Sequence, residues 1–149
     1  MKKYLSLFSL IVFSFFILGG CGSNSTVKLP DEKLQFDEYN VTPTQLLIKK
    51  ENNEDIVYFQ FRLGNERPND TNFTAAMIEI NLYQNGEELD SSLVDEMYDD
   101  NNSLIYEKIA KNEDQLMSLP YILNDKKSDI TIEIIQVEGP TETFDVVIK

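Results

Sequence analysis

The chain has 149 residues, 26 of them Asp or Glu against 13 Lys or Arg, for a net charge of −13, and it holds no His, no Trp and one Cys. Without His the common nucleophilic triads and the usual zinc sites have no members, and a lone thiol cannot close an internal disulfide. So acidic a surface repels phosphates, which excludes nucleic acid as a partner and makes anionic headgroups poor ones.

Lys2 and Lys3 precede an apolar run over residues 5–18, which closes on Leu18-Gly19-Gly20-Cys21. A positive start, an apolar middle and small residues before a cut are the parts of an export signal. The run is 14 residues long and includes Ser6, Ser9 and Ser14. A membrane-spanning helix needs about 20 mostly apolar residues, so a cleaved signal is the better reading. Leu18, three before the cysteine, and Gly20, directly before it, resemble the lipobox of lipoprotein signal peptides, which places cleavage between Gly20 and Cys21. The Cys21 sulfur then takes a diacylglyceryl group as a thioether. Two acyl chains hold a protein stably where one gives marginal, reversible binding, so the expected location is the extracytoplasmic face of the cell membrane. Removal of residues 1–20 takes two lysines and no acids, and the net charge falls from −13 to −15.

Residues 21–33 are polar, contain Pro30 and lack an apolar period. They read as a flexible tether, whose reach at about 12 residues is near 20 Å. Residues 34–149 have the length of one domain.

Within that domain the apolar pattern has period two, the mark of strands with one buried face. Residues 34–41 and 46–50 are weak strand candidates. Val57, Phe59, Phe61 and Leu63 share a face opposite Tyr58, Gln60 and Arg62. Ile78, Ile80 and Leu82 alternate with polar residues before Asn85-Gly86, a strong hairpin signal that predicts another strand after it. The span 89–114 departs from the pattern. Ser91-Ser92-Leu93-Val94-Asp95 resembles a helix cap and residues 104–110 have helical spacing, so one short helix is expected there. Met117, Leu119, Tyr121 and Leu123 form the next strand face, and Pro120, lacking an N–H, places that strand at an edge or bulge. Ile130, Ile132 and Ile134, then Phe144, Val146 and Ile148 after Gly139-Pro140, complete the set. About seven short strands joined by polar turns predict an all-β fold, an antiparallel β-sandwich with an immunoglobulin-like architecture.

Three pieces carry a family resemblance: Tyr58-Phe59-Gln60-Phe61, the hairpin from Leu82 through Gln84-Asn85-Gly86-Glu87 to Leu89, and Leu119-Pro120-Tyr121 through Lys127-Ser128 before a β-branched strand. In order and spacing they resemble a family of Gram-positive surface lipoproteins that carry a telokin-like, immunoglobulin-type domain. The resemblance runs over residues 34–149 and implies no catalytic residues. The family pattern has a Gly-containing turn before the strand at Gln115, where this chain has Asn112-Glu113-Asp114.

Enzyme readings fail on inventory. Gly64, Gly86 and Gly139 stand alone and form no phosphate loop, and carboxylate pairs carry no specificity among 26 acids. No catalytic residue, cofactor or metal is therefore expected. The acidic segment 95–102 is by default a solvated loop; its alternative is a calcium site using Asp95, Asp99 and Asn101. It is not an EF-hand, since Leu104 stands where the turn glycine belongs and Ala110 where the bidentate glutamate belongs. Tyr58 and Tyr83 lie opposite the apolar faces of their strands and form the candidate binding patch, unless the span 89–114 folds over them. The expected function is a monomeric, membrane-anchored binding module for an envelope protein, peptide or glycan. The alternative is an acidic inhibitor or decoy for cationic proteins such as lysozyme or host-defence peptides, told apart by its salt dependence.

Overall fold

The computed structural model describes residues 24–36, 38–67, 74–99, 104–136 and 141–148; the export signal and Cys21 lie outside them. Nine strands and one α-helix follow in chain order: β1 (Ser25–Lys28), β2 (Leu34–Gln35), β3 (Tyr39–Glu51), β4 (Glu54–Asn65), β5 (Ile78–Gln84), β6 (Glu87–Glu88), α1 (Ser92–Asp99), β7 (Asp114–Ile122), β8 (Ile130–Gln136) and β9 (Thr141–Val146). All pairings are antiparallel. The larger sheet runs β1-β3-β4-β7, with β2 also paired to β3, and the smaller runs β6-β5-β8-β9.

The two sheets form a sandwich because period-two alternation gives each one an apolar face to bury. Val57, Phe59, Phe61 and Leu63 of β4 are fully buried, while Tyr58 and Gln60 between them are half-buried and Arg62 is exposed. Ile80 and Leu82 of β5, Ile132 and Ile134 of β8, and Met117 and Tyr121 of β7 complete the inner layers. Phe59 meets Phe144 of the opposite sheet with ring centroids 6.5 Å apart. The Tyr121 hydroxyl crosses the same gap and donates to the Ile80 carbonyl at 2.7 Å, so the one polar end among these rings is satisfied.

Several local features depart from the sequence reading. Ser25–Lys28 was assigned to the tether, yet it is β1, paired with Gln45–Ile48 of β3. Val27 packs against the core and Leu29 is buried, which is the reason a stretch without periodicity still docks. The two weak candidates at 34–41 and 46–50 resolve into β2 and one long strand, β3, which passes through Pro43 with a bulge between Pro43 and Gln45. There the Thr44 hydroxyl donates to the Gln60 carbonyl at 2.8 Å.

Other features match it. Asn85 and Gly86 have φ of 53° and 80°, the positive pair that a two-residue hairpin turn of the primed type requires. The strand after the turn is only two residues long, since Leu89 leaves it to bury in the core. The expected helix is α1: the Ser91 carbonyl accepts from the Val94 and Asp95 amides, and the Asp90 carboxylate accepts from the Ser92 amide at 2.8 Å. Residues 104–110 contribute one 3-10 turn, Leu104–Tyr106, in which Ile105 alone is buried. Pro120 sits in β7, an edge strand of the larger sheet. Two residues on, the Ile122 amide points away from β4 and donates to the Asp90 carbonyl, so the Pro120 nitrogen faces the free edge where no donor is needed. Asn112, in the turn where the resemblance implies a glycine, has φ of 62°, and asparagine tolerates that region better than most other side chains.

Replacing Phe59 by Ala removes a fully buried ring that touches both Phe61 and Phe144. The expected loss is about 3–5 kcal/mol of unfolding free energy, read from the urea midpoint at constant m-value. A loss under about 1 kcal/mol would contradict the packing described here.

Candidate functional site

The outer face of the larger sheet carries a cavity at the end opposite the Asn52-Asn53 turn. Strand register places Gln35 beside Asn40, Asn40 beside Gly64 and Gly64 beside Asp114, so these four form one row across β2, β3, β4 and β7. Gly64 occupies an outward position in the series Tyr58, Gln60, Arg62. Its missing side chain leaves room on the row for a neighbour. A Cβ built there would stand 2.6 Å from the Asn40 amide nitrogen, so the side chain of Asn40 fills the place that any other residue would take.

Glu66, the next outward position, gathers three donors. Its carboxylate accepts from the Lys33 ammonium, from the Gln35 amide and, at 2.7 Å, from the Asn40 amide. The Lys33 bond is the largest influence and, with those from Gln35 and Asn40, holds the carboxyl below its ordinary value of 4.5 against burial, the second largest, which pushes the other way. Asn65, fully buried beside it, fixes the rim: its amide donates to the Ile109 carbonyl at 2.8 Å and its oxygen accepts from the Arg67 amide at 3.0 Å. The Asn112 amide donates to the Asn65 carbonyl at 2.9 Å, which locks the Asn112 turn against the sheet.

The resulting open cavity has a volume of about 510 Å³ and is lined by Lys33, Asn40, Thr42, Glu66, Asn112 and Asp114 above Gly64. Its wall offers amide, hydroxyl and carboxylate groups in fixed positions and no nucleophilic thiol or imidazole. Such a wall can bind a polar, hydrogen-bonding molecule. Among the described residues no group of three or more Asp or Glu is placed to hold a metal ion.

The residues singled out from sequence fall elsewhere. Tyr58 lies on the outer face of the larger sheet and Tyr83 on the outer face of the smaller, so the sandwich separates them and no shared patch exists. The Tyr58 hydroxyl donates to Glu51 at 3.0 Å and Lys49 sits 5.0 Å from its ring centroid. The Tyr83 hydroxyl donates to Glu133 at 3.0 Å. Burial and then these glutamates raise both phenols above their ordinary pKa. Asp95 and Asp99 belong to helix α1 and not to a loop, Asn101 lies outside the described residues, and Asp95 lines a small cavity of about 110 Å³ beside Glu79, Asn81 and Tyr121. Around Tyr83, strand register puts Glu79, Glu88, Glu133 and Asp145 on one face with Asn and Thr and no Lys or Arg.

Sequence reasoning missed the Gly64 cavity because it weighed Gly64 only as a member of a phosphate loop, where an isolated glycine carries nothing. The available signal was its phase: it continues the outward series of a strand, where a glycine marks a close approach of another group.

Residues 22–135 match the model of the family described as Domain of unknown function (DUF5067). Two crystal structures share the fold. One, described as a putative lipoprotein from Bacillus subtilis, aligns with a TM-score of 0.52 at 12% identity over 78% of this chain and 38% of its own. This chain therefore spans well under half the length of that protein. The other, a conserved hypothetical protein from Bacillus anthracis, aligns with a TM-score of 0.53 at 10% identity over 74% of this chain and 91% of its own. No curated protein matches the sequence.

Gly64→Ala is expected to displace the Asn40 amide and destabilise the fold by about 1–3 kcal/mol in thermal denaturation. Asn40→Ala in the same chain should recover most of that loss, and additive losses would show that the close approach is not its cause. The pH dependence has a definite sign. A carboxyl held below its ordinary value stabilises the fold above that value and loses this contribution as pH falls through the lowered one. Glu66→Gln should therefore flatten the decline of stability with acid below about pH 4.5. Parallel acid limbs in the two proteins would contradict the assignment.

Proposed function

Since the chain belongs to the DUF5067 family, a grouping defined by sequence and fold, we propose that it is a membrane-anchored, non-catalytic binding module of the cell envelope that takes its ligand at the Gly64 cavity. The observation that carries this reading is the pre-set polar wall. Glu66 is held by Lys33, Gln35 and Asn40 before any ligand arrives, so little side-chain entropy remains to be lost on binding. Hydroxyl-rich and amide-rich ligands, such as a glycan or a peptide backbone, match its donors and acceptors. Anchoring rests on Leu18-Gly19-Gly20-Cys21, with the diacylglyceryl thioether on Cys21 and the domain on the extracytoplasmic side. The likeness to a structure described as a lipoprotein supports this location.

A second reading has its own observation. The outer face of the smaller sheet sets Glu79, Glu88, Glu133 and Asp145 around Tyr83 with no basic residue among them. Such a face favours a cationic protein, as an acidic inhibitor or decoy would require.

A photo-crosslinking residue at Thr42, on the cavity wall, is expected to capture a partner in intact cells, and one at Thr143, on the acidic face, is not. Capture only from Thr143 would favour the second reading. In that case affinity for a cationic probe such as lysozyme should fall by about tenfold or more between low and physiological salt. Cys21→Ser should release the protein from the membrane fraction, and undiminished membrane recovery would overturn the anchor.

A further inference from the structure

Strand β1 fixes where the anchored end meets the fold. Ser25 pairs with Ile48, and β1 runs antiparallel to β3, so the chain before Ser25 heads in the direction in which β3 continues. Beyond Ile48, β3 goes on through Lys49, Lys50 and Glu51 to the turn at Asn52 and Asn53, whose φ values are 48° and 74°. That overhang of four residues from Ile48 to Asn52 measures about 13 Å at strand rise. Cys21 stands four residues before Ser25, and four chain steps reach at most about 14 Å. The longest possible leash thus equals the overhang.

Resting on the lipid-anchor reading, we propose that the pole carrying the Asn52-Asn53 turn lies against the lipid headgroups, and that the Gly64 cavity faces away from the bilayer. A sulfur whose acyl chains are buried cannot sit far above the headgroups, and its leash cannot lift the hairpin tip clear of them. The Gly64 row lies 11 residues along β4 from Asn53, so the cavity stands about 35 Å above the surface.

Charge at this pole fits such a position. Lys49, Lys50, Lys126 and Lys127 share this pole with Glu51, Glu54, Asp55, Glu87, Asp125 and Asp129, and the Lys126 ammonium binds the Asp55 carboxylate at 2.7 Å. Four cations against six carboxylates make this end less acidic in proportion than the chain, whose 26 acids stand against 13 bases. The hairpin end is therefore weakly repelled by anionic headgroups, whereas the acidic face around Tyr83 is strongly repelled.

The test uses the mature lipidated protein bound to vesicles of phosphatidylcholine and phosphatidylglycerol, with Cys21→Ser protein free in solution as the reference. Amide hydrogen exchange at residues 51–54 should slow by about tenfold on the vesicles, while exchange at residues 112–114 beside the cavity stays the same. A Gly/Ser insertion of about twelve residues between Asn24 and Ser25 should return the hairpin to its solution rate while the protein still sediments with the vesicles. Sedimenting protein with an unprotected hairpin, or with protection at 112–114, would overturn the orientation and leave the anchor intact. Lipidated protein that fails to sediment would overturn the anchor, and the orientation with it.

Discussion

The packing of Phe59, Phe61 and Tyr121 between the sheets is the contact on which the other elements depend. It forms only if the two inner faces are apolar at every second position, and β4, β5, β7 and β8 meet that condition along most of their length. With no disulfide and no metal site among the described residues, this layer supplies the cohesion of the domain. The cross-sheet hydrogen bond from Tyr121 to the Ile80 carbonyl orients the layer and adds about 1 kcal/mol beyond packing. Gln84 does comparable work at the sandwich end. Its buried amide donates to the Asp125 and Ser128 carbonyls and accepts from the Asn124 and Asp125 amides, so a loop of five residues hangs on one side chain.

The same pleat that buries one face presents the other, and the cavity wall is assembled where that outer face loses a side chain. Gly64 makes room for Asn40, Asn40 reaches Glu66, and Glu66 collects Lys33 and Gln35 from the segment before β3. The site is thus assembled from three parts of the chain that sequence distance separates. Strand register, and not any local motif, brings them together. Tyr58 and Tyr83 show the converse. Each satisfies the rule of lying opposite an apolar face, but the rule does not say which sheet a strand joins. Their strands join different sheets and the two rings part.

Much of the fold was legible because alternation is a local property. The inward residues of β4, β5, β7 and β8 were readable one strand at a time, as were the Asn85-Gly86 turn, the edge position forced by Pro120 and the cap at Ser91. What stayed hidden depended on partners. β1 has no period of its own and forms because Val27 and Leu29 find the core beside β3. β3 contains a proline that argues against a strand, and a bulge absorbs it. Asn112 stands in for a glycine through a positive φ that composition does not reveal. The cavity shared that fate, since the Asn40 side chain lies over Gly64 only through strand pairing.

One margin of the larger sheet has a proline within its strand and the other has one between its two strands. Pro30 falls in the gap between β1 and β2, where the partner segments on β3 are offset, and Pro120 turns a donor-free nitrogen to the opposite margin. An uninterrupted margin is a template on which a second copy can zip by backbone pairing, and the hazard grows when molecules share a plane and meet at high surface density. These two rings interrupt both margins, which shortens the stretch of backbone on which such pairing could begin.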